Sequence, residues 1–413
     1  MASTGKRTRR VLILVENLPV PFDRRVWLEA TALSRAGYGV SVISPKGTRR
    51  DMASYELIEG IHIYRYRAPL NAHGPLSYLW EFCYCLAMTF LLSLRVARRH
   101  GIDVVHACNP PDTFFVIGVF YKLFGKRFIF DHHDLSPEMY QAKYEGEGSA
   151  VLLRALLLLE RLTFRAADVV ITTNESHKRI AIGRGNVPPE QVFVVRSGPD
   201  FDRLRILPPE QALKRARPHL ACYLGEMCPQ DGVQYLLRAI AHLVFQLGET
   251  RCSFTLVGGG EALPSLRALA TQLRLDEYVH FTGRVSDHDL CRYLSTADLC
   301  LDPDPKNGWT DKSTMNKVTE YMAFAKPLVA FDLHETRVSA RDAAVYVTPN
   351  SVPGFAHAMA SLLDDPARRG VMGRSGRQRV EQALLWRYSE PALLRAYERV
   401  FDAGGIQPWS SRT

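Results

Sequence analysis

Three stretches decide the fold of this chain: LVGGGE at 256–261, HFTGRV at 280–285 and DKSTMNKVTEYMAFAKPLVAF at 311–331. Each reads as an apolar strand running into a loop, or a loop opening a helix, at the spacing of a doubly wound α/β domain. Glycine at a strand end lets a ligand approach the backbone, and a helix start offers N–H groups and a partial positive charge to an anion. Together the three predict a site for a phosphorylated nucleotide. GGGE or FTGR alone would be a weak signal; order and spacing carry the reading.

Residues 313–325 predict the helix that holds this site. Met315, Val318, Met322 and Ala325 fall on one apolar stripe, and Ser313, Lys317 and Glu320 on a narrow polar stripe roughly opposite. Asp311 is placed to cap the start. The amides of Lys312, Ser313 and Thr314 are then expected to hold phosphate oxygens, with Lys312 and Lys317 adding charge. Glu320, two turns in, is placed to accept hydrogen bonds from ribose hydroxyls. A solvated polar face with a Ser/Thr-rich start fits the same periodicity.

Working outward, strands are expected at 219–227, 253–260, 280–285, 297–303, 326–332 and 343–349, and helices at 231–247, 353–364, 366–384 and 389–402. The front half repeats the pattern, with strands at 11–16, 39–45, 61–67, 103–109, 127–134, 168–174 and 192–198 and helices at 23–37 and 150–166. Short β-rich runs with helices between them predict parallel sheets covered on both faces. Residues 199–219 are polar and carry prolines at 199, 208, 209 and 218, as a linker does. The reading is two similar Rossmann-like domains, 1–205 and 206–388, facing a central cleft that takes the ligand at the carboxyl ends of the strands.

The 413 residues have the composition of a soluble globular protein, 46% hydrophobic and 23% charged. Of the net charge of +9, the first 205 residues hold +8, so the front half is the one to approach an anionic surface or substrate. The basic residues are dispersed and no nucleic-acid motif is present, which argues against a nucleic-acid partner. The first strand lacks a G-x-G-x-x-G turn, which argues against a dehydrogenase. Eight scattered cysteines, none in a metal or redox spacing, read as free thiols of a reducing, cytoplasmic compartment. The start, MASTGKRTRRVLILV, reads as a basic tail before the first strand rather than a signal peptide. LSYLWEFCYCLAMTFLLSL at 76–94 is apolar and long enough to span a membrane, but a core strand follows at once. A buried or membrane-surface helix is expected, and with it peripheral association with the inner face of the membrane.

On these motifs the chain resembles the family 4 glycosyltransferases of the two-domain GT-B fold over nearly its whole length. LVGGGEALPSLRALATQLRLDEYVHFTGRV is similar to the family's second-domain stretch, and EYMAFAKPLVAF to its E-A-M-A-x-G-x-P-V-V-A segment. DHHDLSPE at 131–138 resembles the T-x-H-D-x-x-P stretch, RSGPD at 196–200 the N-G-V-D phrase, and WRYSEPALLRAYERVF the closing helix that packs back on the first domain. The resemblance implies sugar transfer from a nucleoside diphosphate to an acceptor hydroxyl, with retention and without a required metal or other cofactor. It implies a first domain for acceptor and a second for donor.

Chain positions then take roles. Lys312, with His133 and Asp134, is expected in catalysis, Asp134 orienting the His133 ring. Gly225, Gly259, Gly283, Arg284, Ser313, Thr314, Lys317 and Glu320 are expected to bind the donor. Arg24, Arg25, Asn109, Asp112 and Glu138 are candidates for phosphate or acceptor contacts. The chain departs from the family in four places, one of them Ser197 where an asparagine is usual. Lys312 stands where the first of two glutamates is usual, and Glu226 and Asp231 stand where an Arg and a Lys usually clamp the diphosphate. Pro21-Phe22-Asp23-Arg24-Arg25 replaces a Gly-Gly turn. Acids there repel a diphosphate unless cations compensate, so the clamp is expected to move to Lys312, Lys317, Arg24 and Arg25. A UDP-sugar is the first expectation for the donor and a GDP-sugar the second. A glycan, a lipid-linked or a small-molecule acceptor fits. A silent nucleotide-sugar-binding homologue and a GT-B epimerase are the alternatives.

Overall fold

The computed structural model describes residues 8–47, 51–69 and 75–402; the basic tail expected at the start falls mostly on residues 1–7, outside them. The described chain forms two compact units. One takes the residues up to Pro137, Gly148–Arg196 and those from Ser389 on; the other takes Glu138–Glu147 and Ser197–Tyr388.

The first unit is built on eight strands: β1 (Arg10–Leu14), β2 (Gly39–Pro45), β3 (Tyr55–Ile58), β4 (Ile61–Tyr66), β5 (Val104–Cys108), β6 (Arg127–His132), β7 (Val169–Thr172) and β8 (Val192–Val194). Their order is β3-β4-β2-β1-β5-β6-β7-β8, and all pairings are parallel except β3 with β4. That hairpin turns through Glu59 and Gly60, both at positive φ, as a two-residue hairpin requires. Sequence reading missed β3, because YELI sits half in water at the sheet edge and carries no apolar run.

The helices of this unit are α1 (Arg24–Arg35), α2 (Pro75–Arg99), α3 (Phe115–Lys122), α4 (Ser136–Lys143), α5 (Ala150–Ala166) and α6 (Glu175–Gly183); α4 passes into the second unit at Glu138. Asp23, Ser149 and Asn174 cap α1, α5 and α6 with their side chains. From β4 to β5, β6 and β7 the chain steps in one direction along the sheet. Right-handed crossovers therefore set α2, α3 and α5 side by side on one face, while the opposite step from β1 to β2 puts α1 on the other. The packing agrees: Cys85 and Val96 of α2, Ile117 and Tyr121 of α3 and Phe164 of α5 share one apolar cluster.

The second unit has six parallel strands: β9 (His219–Leu224), β10 (Cys252–Val257), β11 (Val279–Gly283), β12 (Leu299–Asp302), β13 (Leu328–Phe331) and β14 (Ala344–Val347), in the order β11-β10-β9-β12-β13-β14. Its helices are α7 (Val233–Phe245), α8 (Leu263–Gln272), α9 (Asp287–Thr296), α10 (Asn316–Ala323), α11 (His334–Ala340), α12 (Val352–Asp364) and α13 (Pro366–Arg379), the last running into a π turn at Val380–Leu384. Strand residues alternate between two cores. Ala221, Tyr223, Phe254 and Leu256 meet α7, α8 and α12; Leu220, Cys222, Cys300 and Leu328 meet α9 and α10. A last helix, α14 (Trp386–Asp402), contributes Tyr397 to the first unit, where it is buried against Tyr38.

In each sheet the strand order reverses beside the unit's first strand: β2 and β5 flank β1, and β10 and β12 flank β9. Such a reversal opens a crevice at the carboxyl ends of the strands. The eight cysteines are unpaired; six are buried, Cys228 is half-buried and Cys83 is exposed on α2.

Candidate functional site

At the reversal in the second unit, the loops after β9, β10 and β11 are laced together by backbone. Gly225 N donates to Val257 O (3.1 Å), Met227 N to Gly259 O (2.9 Å) and Gly258 N to Gly283 O (3.0 Å). Only glycine permits this: a Cβ on Gly258 would stand 1.8 Å from the carbonyl oxygen of Gly225. Gly225, Gly259 and Gly283 thus form one ledge. Arg284, at its edge, donates to Glu226 (2.5 Å). The acid standing where a cation was looked for therefore carries a cation of its own. Asp231, the other acid, accepts from Cys228 N (2.8 Å) and holds the turn before α7.

Helix α10 is tied under this ledge. Leu224 N donates to the Tyr321 hydroxyl (2.8 Å), which donates on to Leu301 O (3.1 Å). Lys317 lies against Gly225, its Nζ bonded to Asp304 (2.8 Å), 3.6 Å from Asp302 and over the ring of Tyr223. Burial opposes its charge, but Asp304, Tyr223 and Asp302 outweigh that and hold the ammonium well above its usual range. Burial, reinforced by Asp304, drives Asp302 well above the usual carboxylate range. Burial also pushes Asp231 up to about 6, against the pull of Lys317. Lys317 therefore faces its own carboxylates, and a diphosphate would reach it only by competing with Asp304.

The helix starts later than the sequence suggested, at Asn316 rather than 313. Asn307 Oδ1 accepts from the amides of Trp309 (2.9 Å) and Thr310 (3.0 Å), and this side-chain turn sets up a 3-10 turn in place of the first helical turn. The amides of Lys312 and Ser313 are consumed by Trp309 O and Thr310 O, and Ser313 Oγ donates to Trp309 O (2.8 Å). Asp311 does not cap α10; it accepts from His334 N (2.8 Å). Among the described residues, the amides of Asn316 and Lys317 have no hydrogen-bond partner, so the donors at the helix start lie one turn further on. Thr314 is half-buried just before them. Glu320 is ion-paired with Arg203, which also donates to Asp287 (3.1 Å). Lys312 Nζ is 3.8 Å from Glu138 of α4, which brings two of the expected residues together.

At the reversal in the first unit, Arg25 is buried. Its Nε and Nη2 donate to Asp131 (2.8 and 2.7 Å), Nη1 donates to Val195 O (2.9 Å), and Nη2 lies 3.1 Å from Glu29. Arg25 is therefore committed inside the unit and not available to a phosphate, a correction to the sequence reading; Arg24 is exposed at the start of α1. Burial works against the Asp131 carboxylate, but Arg25 holds it well below the usual range. His133 Nδ1 meets Asp131 at 3.1 Å. The ring is thus oriented by Asp131 and not by Asp134, because residues two apart on an extended strand share a face. Burial lowers the His133 pKa, yet Asp131 more than reverses this, so the imidazolium persists above the ordinary histidine range.

Asn109 sets the backbone beneath the histidine. Its Oδ1 accepts from the amides of His133 (2.9 Å) and Asp134 (3.0 Å), and its Nδ2 donates to Asp112 (3.1 Å) and Asp134 O (2.8 Å). Asn109 and Asp112 are buried and serve this loop. Sequence reading missed Glu29, His106, Asp131 and Tyr397. His106 Nδ1 meets the Tyr397 hydroxyl at 2.7 Å, and its Nε2 lies 3.5 Å from Glu29. The Arg25/Glu29 spacing of four on α1 was the available signal. Glu29, His106, Cys108 and Asp131 also bring ligand atoms within 4.8 Å of one another. The Arg25 fork already occupies that carboxylate pair with positive charge, so the set does not fit a metal ion.

A family model described as "Glycosyl transferases group 1" matches residues 218–365, and one described as "Glycosyl transferase 4-like domain" matches residues 23–198. D-inositol 3-phosphate glycosyltransferase of Kineococcus radiotolerans is 25% identical over 398 residues, which is 90% of this chain and 88% of that protein. Sucrose-phosphate synthase from Thermosynechococcus elongatus superposes with a TM-score of 0.77 at 19% identity, covering 96% of this chain and all of that one. HepE of Anabaena, solved with UDP and glucose, gives 0.72 at 17%, covering 94% and 99%. The chain belongs to the family 4 glycosyltransferases of the GT-B fold.

Proposed function

We propose that this glycosyltransferase takes its sugar from a nucleoside diphosphate held on the second unit and passes it, with retention, to an acceptor hydroxyl bound by the first. The C1–O bond to the diphosphate breaks, a C1–O bond to the acceptor forms, and the acceptor's proton leaves with the diphosphate. No metal is required. The observation that carries this reading is the ledge of Gly225, Gly259 and Gly283 above a helix start whose amides at Asn316 and Lys317 have no partner among the described residues. Backbone N–H groups fixed in a dry site stabilise charge on a departing phosphate.

In this reading Glu320 takes the ribose and Arg284 and Gly283 border the base. Lys312, Ser313, Thr314 and Lys317 line the diphosphate, and His133 donates to the transferred sugar. UDP is the first choice and GDP the second; HepE, with the same fold, was solved with UDP. The product belongs to polysaccharide, glycolipid or glycosylated-metabolite synthesis on the cytoplasmic side. Thermal-shift screening against UDP-, GDP-, ADP- and TDP-sugars, followed by a donor-hydrolysis assay, tests it. A UDP-sugar is expected to raise the melting temperature most. Protection by none of the four would end the reading.

A further inference from the structure

We infer that the helical layer of the first unit is a docking face for an anionic phospholipid bilayer, built from α2, α3 and α5 together. The inference stands on this unit alone and does not depend on the donor reading.

Helix α2 is long and apolar enough to cross a membrane from Trp80 to Arg99, yet only 22% of its most apolar window is buried. One stripe, Cys85, Thr89, Ser93 and Val96, packs inward, where the Tyr121 hydroxyl of α3 donates to Ser93 Oγ (3.0 Å). This anchoring to the sheet makes α2 part of the fold rather than a detachable span. The opposite stripe, Trp80, Cys83, Ala87, Leu91, Arg95 and Arg98, faces water. Its spacings of three and four place these residues in one line, apolar for three turns and then cationic.

The neighbouring helices extend the surface. Phe90 of α2 meets Phe120 of α3 edge-on at 4.9 Å, and α3 ends in Leu123 and Phe124, which are 78% and 64% exposed. Lys122 of α3 donates to Ala166 O at the end of α5 (2.8 Å). On α5 the exposed line is Val151, Arg154, Leu158, Arg161 and Arg165, apolar and arginine side chains interleaved at spacings of three and four. Below it a groove of about 610 Å3 opens, lined in part by Arg161, Arg165, Phe164 and Ile182.

Charge identifies the occupant. These three helices carry seven cationic residues, of which Lys122 is ion-paired with Asp168 at 2.9 Å, and two carboxylates: Glu81, half-buried, and Glu160, buried against His132 and Arg184. An apolar raft with arginines at the end of α2 and interleaved along α5 is the chemistry of helices lying in the headgroup region. There the hydrocarbon side chains enter the acyl boundary and the guanidinium groups meet lipid phosphates. A protein partner of ordinary composition gives no reason for so one-sided a charge.

Flotation of the full chain with phosphatidylcholine vesicles, with and without phosphatidylglycerol, tests this. Binding is expected to the phosphatidylglycerol vesicles and to weaken with salt. Vesicle contact is expected to shift Trp80 emission to the blue, and Trp80→Phe to abolish that shift. Leu123→Glu with Phe124→Glu is expected to weaken partition at least about tenfold. Arg154→Gln and Arg161→Gln are expected to cost roughly fivefold each. Unchanged melting curves and circular dichroism certify each variant's fold, and for any variant that fails this check the Trp80 shift in the wild type decides instead. The proposal is overturned by absent vesicle binding, by equal binding to both lipid compositions, or by binding indifferent to all these variants. It is also overturned by a dimer in solution that Leu123→Glu dissociates, which would make a second copy the occupant.

Discussion

Each unit buries one cation among carboxylates at the point where its strand order reverses, and the two solutions differ. In the first, the planar fork of Arg25 satisfies Asp131 twice and ties off Val195 O, leaving Asp131 ionised and able to favour the charged form of His133. In the second, Lys317 is a point charge among Asp302, Asp304 and Asp231, and it bonds directly only to Asp304. Asp302 keeps both carboxylate oxygens without a hydrogen bond and is driven well above the usual range, while Asp231 sits near 6. A fork fixes charge; a point charge leaves protons free to move. In the first unit the fork holds Asp131 ionised while burial lifts neighbouring Glu29 to about 7; in the second, burial lifts both Asp302 and Asp231, so the charge around Lys317 responds to pH and to an incoming anion at two carboxylates.

The contrast can be broken most directly at its two cations. Arg25→Met leaves buried Asp131 without its fork and is expected to cost about 3–5 kcal/mol in urea denaturation. Lys317→Met is expected to cost about 2–4 kcal/mol at pH 8 and clearly less at pH 5.5, where the surrounding carboxylates take up protons instead. A penalty for Lys317→Met that is flat with pH would erase the difference between the units. Next in size, Glu320→Gln is expected to weaken nucleotide binding about tenfold, or about 1.4 kcal/mol, by calorimetry. Equal affinity would remove the second unit from donor recognition.

Two smaller effects sharpen the comparison through their pH dependence. His133 has a folded pKa above its ordinary value, so its pairing with Asp131 stabilises fully below about pH 6.5 and is lost as pH rises through the folded pKa. The deficit of His133→Gln relative to wild type, about 1–1.5 kcal/mol in acid, is therefore expected to close in alkali. Asp134→Asn is expected to preserve that pH dependence, because Asp131 holds the ring. Asp231 has the opposite consequence. Its folded pKa of about 6 lies above the ordinary carboxylate value, so the folded state loses stability as pH rises from about 4 through 6. Asp231→Asn is expected to gain about 1 kcal/mol above pH 6 and nothing at pH 4, read from melting curves.

Long apolar runs made both sheets legible in the sequence. VLILV, VVHAC and SFTLV are buried on both faces and could be little else. The glycine ledge was legible because its residues are contiguous with strands. Side-chain partnerships were not, because they join distant positions. Nothing in DHHD says that the first aspartate holds the second histidine until the strand is extended and Arg25 fixes that carboxylate. Lys317 reads as a solvated phosphate ligand on a helical wheel, since a wheel cannot show that Asp302 ends the neighbouring strand and Asp304 follows it. The start of α10 was misplaced because the Asn307 side chain captures two amides, an interaction that competes with the helix and leaves no periodic trace.

The buried bond between Tyr397 and His106 also bears on the order in which the molecule is made. Synthesis runs from the amino end, so the sheet of the first unit leaves the ribosome long before the residue that completes its interior. Until α14 emerges, His106 lacks its Tyr397 partner while the whole second unit is translated. The second unit, continuous in sequence but for the short α4 segment, is thus complete as sequence before the amino-terminal unit is.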